Sequence, residues 1–169
     1  MKNISRKKVF LSLGSNMGNR EENLSKAISM LENKDNKVLA MSKVYVTGAW
    51  GLTDQPDFLN QAVLMETCLN PRQLLDFLLG IEKNMGRERK QKYGPRNIDL
   101  DIIFFDNLVV HEQGLHIPHP LMHKRNFVLV PVMEIDPEFV HPELGKTMAE
   151  LVGESNDPLP VVPYREKHP

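Results

Sequence analysis

The chain has 169 residues, of which 41% are hydrophobic and 25% charged, and its formal net charge is -1. That length suits one domain able to bury most of its apolar surface, so disulfide or structural-metal staples are not needed. A near-neutral balance gives no overall basic field of the kind that nucleic-acid and membrane-surface proteins use.

The single cysteine, Cys68, lies in the apolar run Ala62 to Leu69 and has no partner within the chain, which fits an inert thiol in a reducing compartment. The basic N-terminus is followed by an apolar stretch, Val9 to Leu13, too short for the core of a secretion signal. No segment approaches the roughly 20 apolar residues of a membrane span. We therefore expect a cytoplasmic protein that binds neither membrane nor nucleic acid.

Val9 to Leu13 reads as a buried strand that ends in the turn Gly-Ser-Asn-Met-Gly-Asn. Asn19 can cap the following helix, with Glu22 three residues on and Leu24, Ala27, Ile28 and Leu31 along one face. Val38 to Val46 and Ala62 to Leu69 are strand candidates, joined by the long stretch Thr47 to Asn60, whose length points to function. Asn70 and Pro71 open a second helix, with Leu74, Leu75, Leu78, Ile81 and Met85 facing a core and Gly86 ending it. After a basic loop, Arg87 to Arg96, the run Ile98 to Phe105 is a strand, and Asp106-Asn107 is a plausible hairpin turn into Leu108 to Val110.

The order β-α-β-β-α-β predicts a ferredoxin-like α+β fold with an antiparallel sheet and both helices on one face. Segments near Asn126 to Glu134 and Thr147 to Val152 can form C-terminal helices that cover the other face, the second with a Thr147–Glu150 capping box. We read residues 1–155 as one domain and residues 156–169, with their four prolines, as an extended tail.

The most informative stretch is Gly-Pro-Arg-Asn-Ile-Asp-Leu-Asp-Ile, Gly94 to Ile102. Aspartate is depleted in strands, yet two of them interrupt this apolar run. Residues two apart share a face, so Asp99 and Asp101 present neighbouring carboxylates, while Ile98, Leu100, Ile102 and Phe104 point the other way. Such a pair suits Mg²⁺, although it could also solvate a strand end or pair with an arginine. Beside it lie Arg87, Arg89, Lys90, Lys92 and Arg96, with Arg125 further on; guanidinium forks match phosphate oxygens, so acids and cations together suit a metal-bound triphosphate. Taken alone, a charge run of this kind is commonly a solvated loop.

His119 stands between Pro118 and Pro120, where the backbone is stiff, and Arg125 and Phe127 follow in the same stretch. The long connection carries Trp50, Phe58 and Asn60, which could stack on a planar heterocycle and read its edge, although loop aromatics can equally plug a core. The Gly-Ser-Asn-Met-Gly-Asn turn lacks the lysine of a P-loop and reads as a turn alone.

These stretches resemble the 6-hydroxymethyl-7,8-dihydropterin pyrophosphokinase family. The resemblance is carried by Leu-Gly-Ser-Asn, Asp-Gln-Pro-Asp-Phe-Leu-Asn, Ile-Glu-Lys-Asn-Met-Gly-Arg-Glu-Arg, Gly-Pro-Arg-Asn-Ile-Asp-Leu-Asp-Ile and Ile-Pro-His-Pro with its following Arg-Asn-Phe, in the family's order from Leu13 to Phe127. It implies a three-layer α/β/α sandwich, ATP as co-substrate, and two Mg²⁺ ions on Asp99 and Asp101. It further implies ATP contacts at Glu82, Arg87, Arg89, Arg96, His116, Ile117, His119 and Arg125. The pterin would lie between Phe58 and Phe127, with Asn60 and the backbone near Thr47 and Trp50 at its edge. Tyr93 stands where the family also has tryptophan, Gly48 to Gly51 follows Thr47 where a Pro-Pro pair is also found, and the residues from Asn156 onward match no family role.

The implied reaction is attack of the pterin hydroxymethyl oxygen on the β-phosphorus of ATP by a monomeric enzyme, with Arg87, Arg96, Asp99 and Asp101 as its charged machinery. Transfer of this type needs positioning and charge neutralisation more than a protein nucleophile. A rival reading is a non-catalytic RNA-binding module on the same topology, with the basic loop on phosphates and Phe58 or Phe127 stacked on bases. Such a module usually carries an aromatic sheet motif that this chain lacks.

Overall fold

In chain order the elements are β1 (Lys7–Ser15), α1 (Arg20–Leu31), β2 (Asn36–Met41), β3 (Tyr45–Thr47), β4 (Phe58–Thr67), α2 (Pro71–Asn84), β5 (Asp99–Phe105), β6 (Val110–Glu112), β7 (Leu115–Ile117), α3 (Asn126–Ile135), α4 (Met148–Glu154) and β8 (Val161–Pro163). They come from a computed structural model that describes residues 5–48, 54–86 and 95–165.

β1 is the pivot of the main sheet, antiparallel to β4 on one side and to β5 on the other. The far edge of β4 carries β2 along its C-terminal half and β3 at its N-terminal end. A single strand was expected over Val38 to Val46, and Ser42 is why it breaks. Its hydroxyl accepts the Ala62 N–H at 2.9 Å and donates to the Lys43 carbonyl at 2.7 Å, taking a ladder position from the backbone.

The first two helices form for local reasons. Asn19 accepts the Glu22 N–H at 3.1 Å at the start of α1, and Asn70 with Gln73 makes a reciprocal capping box before Pro71 in α2. Caps of this kind are worth about 1 kcal/mol each. Leu24, Ala27 and Leu31 of α1 and Leu74, Leu78 and Ile81 of α2 then bury one stripe each against Val9, Leu11 and Leu13 of β1.

α3 and α4 cover the opposite face. Val128, Leu129 and Val132 of α3 and Met148 and Leu151 of α4 pack on Phe10, Ala62 and Phe104 of the sheet. The three-layer sandwich is as expected, and helices cover both faces of the sheet, including the one an RNA-binding module would leave open. Among the described residues no helix is long and apolar enough to cross a membrane.

Two local expectations need correction. Phe104 does not share a face with Ile98, Leu100 and Ile102, because the β1–β5 register shifts between Phe10 and Leu11. This bulge turns Ile103 and Phe104 both toward α3 and α4 and leaves Phe105 in the other core. Asp106-Asn107 does not lead a hairpin back onto β5, since the His119 N–H occupies that strand's edge at the Ile103 carbonyl, 3.1 Å away. The hairpin is instead β6–β7, turning at Gly114, whose φ of 74° suits glycine. The region after Asn156 is extended, and within it β8 pairs with β3 in the register Thr47↔Val161.

Candidate active site

A cleft of about 350 Å³ opens on the α3 side of the sheet, floored by β1, β4 and β5. Strand alternation builds the floor. Leu11 and Leu13 enter the α1/α2 core, so Ser12 and Gly14 face the cleft from β1. Register places Asp101 beside Ser12, while Gly14 has Asp99 on one side and Asn60 on the other. A β-carbon on Gly14 would sit 3.0 Å from Asn60 Oδ1 and 3.4 Å from the Phe58 ring, so glycine gives those two side chains their room. Gly14 and Ser15 thus belong to strand β1 rather than to the expected turn.

Asp99 and Asp101 are both half-buried and both line the cleft. Arg96 Nη1 lies 2.9 Å from Asp99 Oδ2, with little of either side chain exposed, so it partly offsets the repulsion between the acids. Among the described residues no three His, Cys, Asp or Glu side chains gather as a metal cage. Two cleft-lining carboxylates with coordination left for phosphates and water match the way Mg²⁺ is usually held.

The opposite wall comes from the segment between β7 and α3. His119 Nδ1 accepts the Leu121 N–H at 3.2 Å, which leaves the ring proton of the neutral imidazole on Nε2. Burial, and then the charge of Arg125, push the His119 pKa down to about 4 against an opposing pull from Asp99. Near neutral pH the His119 ring is therefore uncharged, with its N–H on Nε2. Arg125 lies over the Phe127 ring at 5.8 Å, placing a cation beside the aromatic wall. The cleft is also lined by Phe58 and the buried Asn60, whose Nδ2 donates to Thr47 Oγ1 at 2.5 Å.

The cleft brings together Thr47, Phe58, Asn60, Arg96, Asp99, Asp101, His119, Arg125 and Phe127. It does not include Glu82, His116 or Ile117. Glu82 is 3% exposed on α2, beneath the opposite face of the sheet, with Oε1 3.5 Å from the Leu100 N–H. His116 is exposed on β7 with its ring 5.9 Å from that of His111, and Ile117 is buried in the core. Trp50, Arg87, Arg89 and Tyr93 lie outside the described residues.

Reading the residues singly missed Asn16. It is 2% exposed, and its Nδ2 donates to Gln55 Oε1 at 2.8 Å and to the Pro56 carbonyl at 3.1 Å. Its Oδ1 accepts the Arg96 N–H at 2.8 Å, and its own N–H donates to the Arg96 carbonyl at 3.1 Å. One buried amide thereby ties the aromatic loop to the basic loop. The Leu-Gly-Ser-Asn match was its only signal in the sequence.

A family model described as 7,8-dihydro-6-hydroxymethylpterin-pyrophosphokinase (HPPK) matches residues 10–137. The 2-amino-4-hydroxy-6-hydroxymethyldihydropteridine pyrophosphokinase of Aquifex aeolicus is 39% identical over 87% of this chain and 91% of its own. The folic acid synthesis protein fol1 of Pneumocystis carinii is 39% identical over 98% of this chain, which spans only 23% of that longer protein. Among solved structures, the Plasmodium falciparum HPPK-DHPS with pterin and p-hydroxybenzoate matches with a TM-score of 0.71 at 18% identity, over 88% of this chain and 42% of that one. At that identity the likeness speaks for the fold.

Proposed function

The chain belongs to the 7,8-dihydro-6-hydroxymethylpterin-pyrophosphokinase family, and from that premise we propose that it transfers the diphosphate of ATP to 6-hydroxymethyl-7,8-dihydropterin in folate biosynthesis. The hydroxymethyl oxygen forms a bond to the β-phosphorus, the bond from that phosphorus to the α–β bridging oxygen breaks, and AMP leaves. The hydroxyl proton goes to solvent, and no protein nucleophile takes part.

The observation that carries this reading is one cleft with acids, cations and a ring-binding slot side by side. Asp99 and Asp101 would hold Mg²⁺, two ions by the family resemblance, which when bound would neutralise phosphate charge and align the reacting groups. Arg96 and Arg125 bind phosphate oxygens, and neutral His119 donates to one from Nε2. Phe58 and Phe127 sandwich the pterin, while Asn60, oriented by Thr47, reads its edge. Arg87 and Arg89 on the phosphates, Trp50 near the pterin, and Glu82, His116 and Ile117 on the nucleotide complete the reading on resemblance.

All these side chains come from one chain, and we take the enzyme to act as a monomer in the cytoplasm, where its free Cys68 stays reduced. Residues 1–155 supply the side chains of the catalytic unit, and residues 156–169 follow as an extended segment. The test mixes enzyme, ATP, Mg²⁺ and 6-hydroxymethyl-7,8-dihydropterin and separates the nucleotides by chromatography, with a chelator control. AMP and a pterin diphosphate are expected. ADP as the main product, or no pterin-dependent turnover, would overturn the assignment, and turnover undiminished by the chelator would remove the metal from it.

A further inference from the structure

The segment after α4 crosses from one wall of the cleft to the other. Asp157 Oδ2 accepts the N–H of Asn126, the first residue of α3, at 2.9 Å, and its Oδ1 accepts the Leu159 N–H at 3.0 Å. Leu159 reaches to 3.8 Å from where a β-carbon on Gly48 would stand, at the cleft's opposite lip. Val161 to Pro163 then pair with β3, next to Thr47, and the Tyr164 N–H donates to the Val44 carbonyl at 2.8 Å.

α3 is poorly held by its own sequence at the end that bears Phe127. Its N-cap, Arg125, makes no capping hydrogen bond through its side chain, and its first turn contains no acid. Pro131 further withholds the N–H that would normally bond the Phe127 carbonyl. A carboxylate at a helix N-terminus satisfies an orphan N–H and complements the helix dipole, and Asp157 supplies both from outside the helix.

We infer that residues 157–163 are a positioning strap that sets the distance between the Phe127 wall and the Thr47–Gly48 lip of the cleft, with Asp157 as its key residue. The inference rests on the proposed pterin pose, with one face of the ring on Phe127 and its edge at Thr47. The strap lies beyond the 10–137 span of the family model, and it meets the site at Asn126, next to Phe127, and at the Thr47–Gly48 lip.

Calorimetry on the full chain, with 6-hydroxymethyl-7,8-dihydropterin and a non-hydrolysable ATP analogue as separate ligands, tests it. Asp157→Ala should weaken pterin binding by about 3- to 10-fold, the range a lost helix cap spans when its effect falls on binding, and weaken ATP-analogue binding less, through Arg125 beside the capped residue alone. Asp157→Asn keeps an acceptor for the Asn126 N–H but loses the one for the Leu159 N–H and the charge, so it should restore part of the loss. Pterin binding unaffected by Asp157→Ala, or both ligands weakened by one factor together with a lowered Tm, would overturn the strap. Asn60→Ala is the control. If it also spares pterin binding, the pocket assignment fails and takes the strap with it, whereas weakening by Asn60→Ala alone rejects only the strap.

Discussion

Arg96 and Asp99 are three residues apart, yet the 2.9 Å contact between them joins the basic loop to the acidic strand. Asp99 thus has a counter-ion from the segment proposed to supply cations for the phosphates. Removing either acid should cost the fold little, since both line the open cleft and the loss of one relieves its repulsion with the other, but should remove most turnover. Asp99→Ala and Asp101→Ala are each expected to keep a near-normal Tm while kcat falls. Steady-state kinetics beside calorimetric melting checks this, and near-normal turnover in both variants would make the pair structural. Arg96→Ala should slow AMP release by roughly 10²-fold, as losing one electrostatic donor in a closed site does.

Asn60 is buried with its amide held by Thr47 at 2.5 Å, so its orientation is set before a ligand arrives. Asn60→Ala should weaken pterin binding by about 1 to 3 kcal/mol, the cost of a buried partner left unpaired, and affect ATP much less. Titration of each ligand separately measures the split. Equal weakening of both would move Asn60 from the pocket to the scaffold.

Asn16 offers a prediction that separates two loops. Asn16→Ala removes its side-chain ties to both the aromatic loop and Arg96. Asn16→Asp keeps an acceptor for the Arg96 N–H but loses the donors to Gln55 and Pro56. We expect the alanine variant to lose kcat and raise the KM for pterin, and the aspartate variant to raise mainly the KM for pterin. Identical kinetic changes in the two would show that the loops are not held separately.

The Tyr45 hydroxyl donates to Glu134 of α3, whose other carboxylate oxygen accepts the Lys43 N–H at 2.8 Å. Burial first, and then Glu134, raise the Tyr45 pKa to about 12 from its ordinary 10.0. A raised folded-state pKa means that the folded chain keeps a proton the unfolded chain has lost. This contribution to stability is therefore complete below pH 10 and disappears as pH rises from about 10 to 12. Tyr45→Phe should flatten the alkaline fall in denaturant midpoint over that window and delete the last step of the tyrosinate absorbance titration. A wild-type titration without a late step would contradict the clamp.

Two helices and the acid pair were legible because their determinants are neighbours in the chain. Asn19 with Glu22, Asn70 with Gln73 and Pro71, and the apolar spacing along both helices act within a turn or two. Asp99 and Asp101 share a face because strand alternation demands it. The Thr147–Glu150 capping box announced α4 in the same way.

What depended on which distant segments meet could be settled only by the tertiary structure. The bulge opposite Phe10 and Leu11 sends Phe104 to the far core, and no local pattern in β5 encodes a slip in its pairing with β1. Glu82 lies under the sheet and not in the cleft because α2 packs on the face opposite Asp99 and Asp101. Asn16 bonds partners 39 and 80 residues away, and Asp157 reaches back 31 residues to α3. The sequence by itself determined caps, helix faces and strand alternation, because these arise within a few residues of backbone geometry. The cross-strand register, the tie between the loops and the bond from Asp157 to α3 were decided by packing, because each hydrogen bond there exists only once the two cores have brought remote stretches of chain together.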